Sequence, residues 1–326
     1  MAKTIIVSNR LPVKISKEGE NLHYQPSVGG LATGLGSIYK EGDNIWIGWP
    51  GIYLDEENEK KIVTRELKKE SLHPVFLNEQ EIKDFYEGFS NATLWPTFHY
   101  FAQYAVYEEK FWEAYKVVNE KFCKEVVALA EPGDTIWIHD YQLLLLPAMV
   151  RGNIDKISIG FFQHIPFPSY EIFRCLPWRR ELLQGMLGSD LIGFHTYDDM
   201  RHFLSSVNRL AGLGYFHGQV EMQSHTVTVD AFPMGIDYEK YAKTAIFPET
   251  INREVKYRQS LGEQKIMLSI DRLDYSKGIP ARLRAFELFF ERHPEYKEKV
   301  SLFMIVVPSR DQVERYRRLK IEIDEL

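Results

Sequence analysis

Short β-rich runs alternate with longer stretches of helical periodicity along most of this chain. Apolar and β-branched residues cluster at Thr4 to Val7, Ile45 to Gly48, Pro74 to Leu77, Thr135 to Ile138, Ile157 to Phe162, Leu191 to Phe194 and Val227 to Ala231. Runs of this length separated by helical patterns predict a parallel sheet covered by helices, an α/β fold. Between Tyr107 and Leu129, the side chains Phe111, Tyr115, Val118, Phe122, Val126 and Leu129 recur at helical spacing and stop before Pro132-Gly133, which predicts one packed helix.

The pattern breaks after Ala231, where Phe232-Pro233-Met234-Gly235-Ile236-Asp237 precedes a polar helical stretch. The domain crossing is placed there, giving domains over residues 1–236 and 237–326. The second domain reads as a strand at Lys265 to Ile270, a helix from Pro280 to about Arg292, a strand at Val300 to Val307 and a charged helix from Asp311 onward. A doubly wound core typically takes about 100 residues or more, so this half is expected either to be truncated at Leu326 or to need help from elsewhere to close its core.

Composition changes this picture little but narrows the partners. The chain has 326 residues, 44% of them hydrophobic and 26% charged, enough for a sizeable core. A net charge of -6 argues against a general nucleic-acid binder, while leaving room for a local cationic cluster. No apolar run approaches membrane-spanning length, and the first strand begins without an export signal, so a cytoplasmic protein with no membrane partner is expected. Cys123 and Cys175 lie far apart and lack metal-ligand spacing, which reads as two reduced core thiols. The charged runs Glu56 to Lys61 and Arg65 to Glu70 read as solvated surface.

In open parallel sheets, ligands bind outside the carboxyl ends of the strands, where helix N-termini and variable loops meet. The residues there are Ser8-Asn9-Arg10, His139-Asp140, His164 and His195, an unusually polar rim. A single His at a strand end is more often a loop hydrogen-bonder than a catalyst; it is the convergence that points to chemistry. Gly29-Gly30-Leu31-Ala32-Thr33-Gly34 precedes a helical pattern and would let backbone amides approach a phosphate, although it is neither a Walker loop nor Gly-x-Gly-x-x-Gly.

In the second domain, Asp271-Arg272-Leu273-Asp274-Tyr275-Ser276-Lys277-Gly278 sets two cations beside a helix N-terminus. Such cations stabilise the charge that builds on a departing diphosphate, unless Asp271 or Asp274 neutralises them. Arg310, after the next strand, offers a guanidinium fork suited to a second phosphate. The aromatic stretches around Tyr86 and Trp95 carry rings that pack on sugar C–H faces or, equally well, in a core.

Seven ordered motifs then resemble the trehalose-6-phosphate synthase family, glycosyltransferase family 20. They are Ser8-Asn9-Arg10-Leu11-Pro12, Gly29-Gly30-Leu31, Trp46-Ile47-Gly48-Trp49-Pro50-Gly51, Leu94-Trp95-Pro96, Ile138-His139-Asp140-Tyr141-Gln142-Leu143, Phe161-Phe162-Gln163-His164-Ile165-Pro166-Phe167-Pro168 and Arg272-Leu273-Asp274-Tyr275-Ser276-Lys277-Gly278. The resemblance implies the GT-B architecture, two Rossmann-like doubly wound domains facing across a cleft. It also implies transfer of glucose from UDP-glucose to glucose 6-phosphate with retention, with UDP-glucose as co-substrate and no metal or other cofactor.

By motif, Arg10, Trp49, Tyr86, Trp95, Asp140 and Arg310 are expected on the glucose 6-phosphate side, with Arg10 and Arg310 on the phosphate. Gly30, His164, Arg272 and Lys277 are expected on the UDP-glucose side, and His164, Arg272, Lys277 and Asp140 in catalysis. Trp46 is not separable from Trp49 on sequence, and His195 receives no role. The family's later donor-hydroxyl and ribose-binding segment does not occur before Leu326, so these residues alone are expected to bind UDP-glucose weakly. Alternatives are a silent, sugar-phosphate-sensing homologue and a transferase with another phosphorylated acceptor. A homo-oligomer or a downstream phosphatase domain is compatible with the resemblance.

Overall fold

Strand β1 (Thr4–Arg10) buries Ile5, Ile6 and Val7 completely. Successive strand residues face opposite sides, so consecutive burial means that both faces are covered, as in a parallel sheet between helical layers. Each such side chain contributes on the order of 2 kcal/mol. The computed structural model describes residues 2–19, 21–27, 30–35, 39, 43–308 and 314–326, which divide into two compact units, Met1–Met234 and Gly235–Leu326.

The first unit is a nine-stranded sheet in the order β5-β4-β1-β6-β7-β8-β11-β10-β9. Its strands are β1, β4 (Ile45–Trp49), β5 (Leu72–Pro74), β6 (Thr135–His139), β7 (Ser158–Phe162), β8 (Leu191–Phe194), β9 (Tyr215–Phe216), β10 (Gln219–Glu221) and β11 (Thr226–Ala231). Pairing is parallel from β5 through β11, and β10 and β9 add an antiparallel margin. From β1 the chain winds outward through β4 and β5, then returns to the other side of β1 with β6 and continues to β11. The topological switch point therefore lies between the carboxyl ends of β1 and β6. A separate hairpin pairs β2 (Val13–Glu18) with β3 (Asn21–Pro26).

The predicted helix is Glu109–Leu129, with Trp112, Tyr115, Val118, Phe122 and Val126 buried along one stripe. Its Tyr115 hydroxyl donates to the Tyr141 carbonyl at 2.8 Å and accepts from Leu144 N–H at 2.9 Å. Asn119, one turn on, donates to the Gln142 carbonyl at 3.1 Å. The helix thus clamps the chain that leaves β6.

Several sequence expectations need correction. The strand placed at Pro74 to Leu77 is Leu72–Pro74, because β4 supplies its partner edge and ends at Trp49; Val75 N–H still bonds the Gly48 carbonyl at 2.9 Å. Strand β1 runs on through Arg10, two residues beyond the pairing of Ser8 with His139. Cys175 is exposed, since the short helix Tyr170–Phe173 ends before it, whereas Cys123 is buried. The antiparallel pieces β2, β3, β9 and β10 were not foreseen, being short or polar.

In the second unit, β12 (Lys265–Arg272) and β13 (Val300–Val307) pair in parallel over their full lengths. Strand β12 outlasts the expected Ile270 end because the β13 partner continues to Val307, so Arg272 is a strand residue. Helices Tyr238–Ala245, Pro248–Leu261, Ile279–Arg292 and Glu314–Glu325 accompany the pair. Leu268, Ile270 and Val307 on these strands are exposed.

The Tyr115 clamp generates a prediction. Tyr115→Phe keeps the ring and removes both bonds to the segment after β6, and is expected to cost about 2 kcal/mol of unfolding free energy in urea denaturation.

Candidate functional site

Parallel registry brings five strand ends into one row. Arg10 pairs with Trp49, Ser8 with His139, His139 with Phe162, and Phe162 with Gly193. Arg10, Trp49, Asp140, His164 and His195 consequently line the carboxyl edge of β4-β1-β6-β7-β8, with Arg10 and Asp140 flanking the switch point.

Arg10 is seated on carbon. Its guanidinium lies 4.7 Å from the Trp49 ring centroid and against Gly51, where φ is 78° and an added Cβ would overlap the guanidinium. Desolvation lowers its pKa, and Tyr86 acts in the opposite direction. Among the described residues no carboxylate pairs with it. An arginine held by a ring and a glycine, with its donors uncommitted to an acid, has the chemistry to take an external anion.

Trp49 is buried, and its indole N–H donates to the Ile52 carbonyl at 3.2 Å, so its contribution to a ligand is the ring. The Tyr86 ring is 5.8 Å away. Trp46 donates to the Ser8 hydroxyl at 2.8 Å and is 1% exposed, which makes it a core residue. Tyr86 sits in a π-helix spanning Ile82–Leu94, a rare wide winding that is frequent at functional sites. Trp95 follows at once, buried, stacked on His99 at 4.0 Å and 5.7 Å from Tyr141. Asn91 of the π-helix accepts the Tyr141 hydroxyl at 2.8 Å, so this segment props the residue after Asp140.

Asp140 holds φ 76° and ψ 167°, a region that glycine occupies almost alone. Its N–H donates to the Phe162 carbonyl at 2.8 Å, and its Oδ1 accepts from Tyr141 N–H at 3.0 Å and His164 N–H at 3.3 Å. These bonds hold the strained residue between β6 and β7. His164 is fixed beyond them by Pro166 and Pro168, which forbid an immediate helix, and by Phe167, fully buried among Phe98, Phe173, Phe194 and Phe203.

Three imidazoles stand side by side. His139 Nδ1 and His164 Nε2 are 3.0 Å apart, and the His164 and His195 ring centroids are 5.6 Å apart. Burial drives His139 well below its ordinary pKa, with His164 adding to the shift. Burial, then His195, takes His164 down to about 4. His195 is lowered by burial and partly restored by Asp199. At neutral pH the row carries no charge from His139 or His164.

Gly30 opens the six-residue helix Gly30–Leu35, where an added Cβ would meet open space. Gly29 and Arg310 lie outside the described residues. In the second unit, Arg272 ends β12 and Lys277 closes a short turn, Tyr275–Lys277, both exposed; Gly278 (φ 62°) then leads into helix Ile279–Arg292. Asp271 pairs with Arg282 at 2.6 Å, and fully buried Asp274 accepts from Tyr316 at 3.0 Å and Ser276 N–H at 2.9 Å. A groove of about 520 Å³ between β12 and the 279–292 helix is apolar apart from Ser269, Asp271 and Arg282, which satisfy one another.

Sequence reasoning singled out the strand-end rim but not the supports beneath it. His139 stands in the rim on sequence but carries no role there, and neither do Gly51 and Asn91; the glycine after Trp49-Pro50 is the available signal for Gly51.

Among the described residues no cluster of His, Cys, Asp or Glu is placed to hold a metal ion, and no helix is long and apolar enough to cross a membrane. A doubly wound sheet whose switch point carries an arginine with no carboxylate partner among the described residues, a strained aspartate and the uncharged imidazoles of His139 and His164 defines an α/β protein whose polar crevice lies at the carboxyl edge of its strands. The particular family follows from comparison: residues 2–326 match the glycosyltransferase family 20 model, and the chain belongs to that family.

It is 45% identical over 333 residues to the bifunctional trehalose-6-phosphate synthase/phosphatase of Thermoproteus tenax, covering 99% of this chain and 45% of that protein. It is 44% identical over 331 residues to the UDP-forming alpha,alpha-trehalose-phosphate synthase 1 of Aspergillus fumigatus, covering 100% of this chain and 64% of that protein. The chain thus spans about half to two-thirds of these relatives' lengths. The crystal structure of a UDP-forming alpha,alpha-trehalose-phosphate synthase from Burkholderia xenovorans in complex with glucose-6-phosphate superposes with a TM-score of 0.84 at 31% identity, over 99% of this chain and 69% of that one.

Two predictions follow from the rim itself. Asp140→Gly should be more stable than Asp140→Ala by about 1 kcal/mol or more in chemical denaturation, reversing the usual order, because only glycine relieves the backbone. For His164, the folded pKa of about 4 lies below the ordinary 6.5, so the unfolded state takes up more protons between those values. Stability is fully present above pH 6.5 and falls as pH drops toward 4, by roughly 3 kcal/mol from this residue; His164→Gln should flatten that slope in denaturation midpoints.

Proposed function

We propose that the chain serves a retaining glucosyltransferase that moves glucose from UDP-glucose to glucose 6-phosphate, giving trehalose 6-phosphate and UDP. The observation that carries this reading is Arg10, an arginine without a carboxylate partner among the described residues, seated on Trp49 and Gly51 across the switch point from Asp140. A guanidinium for a phosphate and a carboxylate for hydroxyls is the pairing a sugar phosphate requires. The glucose-6-phosphate complex of the Burkholderia relative and the UDP-forming names of the others support it.

In this reading the domain over residues 1–236 takes the acceptor, with Arg10 and Arg310 on its phosphate, Asp140 on its hydroxyls, and Trp49, Tyr86 and Trp95 shaping the ring site. Residues 237–326 belong to the nucleotide-sugar domain, where Arg272 and Lys277 meet the diphosphate. Gly30 and His164 complete the donor contacts.

The acceptor hydroxyl attacks the anomeric carbon on the face from which the diphosphate leaves. The new glycosidic C–O bond forms as the C–O bond to phosphate breaks, and the departing phosphate oxygen takes the hydroxyl proton. Arg272 and Lys277 act on charge that grows during this step, so they stabilise the transition state more than the ground state. The setting is cytoplasmic, and a downstream phosphatase domain accords with the bifunctional name of the Thermoproteus relative.

Measured as UDP release, Arg272→Ala or Lys277→Ala should lower turnover about 100-fold while glucose 6-phosphate affinity stays within about twofold. Turnover equal to the unmodified protein in both variants would sink the assignment. Release that runs equally well with glycerol 3-phosphate would overturn the choice of acceptor.

A further inference from the structure

His139 is 0% exposed, lies between the Trp137 and His164 rings, and faces His164 through Nδ1 at 3.0 Å. Its Nε2 is sealed from solvent and has no hydrogen-bond partner. His164 is only partly buried, and among the described residues nothing bonds its Nδ1.

One proton serves the Nδ1–Nε2 contact, and its owner decides the tautomer of both rings. If His164 donated from Nε2, the neutral His139 ring would carry its proton on Nε2, as a buried N–H with no acceptor. Orphaned buried N–H groups are rarer and costlier than under-used acceptors. If His139 donates from Nδ1, its Nε2 is a bare lone pair, and His164 must carry its own proton on Nδ1.

We infer that His139 is a positioning residue: it donates to His164 Nε2 and thereby fixes His164 as the Nδ1–H tautomer, with that N–H turned to bound ligand. His164 Nε2 is then occupied and cannot act as a proton acceptor. The ring can only donate, which suits a sugar hydroxyl or phosphate oxygen as its partner. This deepens the donor-side role proposed for His164 and rests on it only for the identity of the ligand.

The groups facing the pair support a neutral, donor-only ring. From the segment after β6, Asp140 spends its Oδ1 on the backbone N–H groups of Tyr141 and His164. From the segment after β8 comes His195, and from the helix Tyr197–Ser206 comes Asp199, whose charge acts on His195. A second proton on the pair would set two N–H groups head to head at 3.0 Å.

The test is ring-nitrogen NMR on the ligand-free chain with ¹⁵N-labelled histidine at pH 7, signals being assigned by comparison with His164→Gln. His164 should show a protonated Nδ1 and an unprotonated Nε2 in essentially one tautomer. His139→Phe, which removes the donor, should shift it toward the Nε2–H form that free imidazole side chains favour, and His139→Asn, whose amide reaches the Nδ1 position, should hold the original form. A protonated Nε2 on His164 in the unmodified chain overturns the inference, as does an unchanged tautomer in His139→Phe. Should His139→Phe fail to fold, the unmodified chain and His139→Asn decide. Because no substrate is present, failure here leaves the transferase reading standing, and failure of UDP release leaves the tautomer intact.

Discussion

Asp140 occupies a backbone region that an L-residue enters only when its surroundings insist, at a cost of about 1–3 kcal/mol. What insists is a set of bonds from three layers. Phe162 of β7 takes its N–H, Tyr141 and His164 bond its carboxylate, and Tyr115 and Asn119 of the helix Glu109–Leu129 hold the carbonyls of Tyr141 and Gln142. The helix is itself held by the burial of Trp112, Val118, Phe122 and Val126. Core packing therefore sets the position of the carboxylate, and the strain is offset by hydrophobic burial behind it.

The same logic seats Arg10. A guanidinium in a low-dielectric corner ordinarily acquires an acid, which would cancel its value to an anionic ligand. Here Trp49 and the missing side chain of Gly51 provide the packing that an acid would otherwise provide. The register of Arg10 with Trp49 places the ring under the cation, and the winding outward to β4 and back to β6 leaves the crevice beside it.

The strand ends were legible because a parallel sheet forces a simple reading: apolar runs are buried, and the first polar residues after them form the rim. Arg10, Asp140 and His164 were found that way. What was not legible depends on contacts between segments far apart in sequence. Trp46 and Trp49, three residues apart, look alike in the chain, yet Ser8 takes the N–H of one and Ile52 that of the other, leaving Trp46 in the core and Trp49 beneath Arg10. The π-helix at Ile82–Leu94 shows no distinct periodicity in sequence, because its apolar residues Phe85, Phe89 and Leu94 also fit an ordinary helix. The ends of β1 and β12 were placed short because polar residues such as Asn9 and Asp271 read as loop, whereas strand length is set by how far the partner continues.

The histidine row shows why neutrality belongs at this edge. Protonated imidazoles with ring centroids 5.2 Å apart, as His139 and His164 are, or 5.6 Å apart, as His164 and His195 are, would repel strongly in a partly dry setting. Burial removes that conflict by holding His139 and His164 uncharged, so the row offers directed N–H donors without adding charge. Positive charge on the rim of the first unit is then concentrated at Arg10, where β1 ends, and no competing cation arises at His164 to draw a phosphate along the edge. A neutral donor also costs less to desolvate than a cation when a ligand covers it. The edge therefore separates two kinds of group by electrostatics: a charged guanidinium at Arg10 and uncharged imidazoles at His139 and His164.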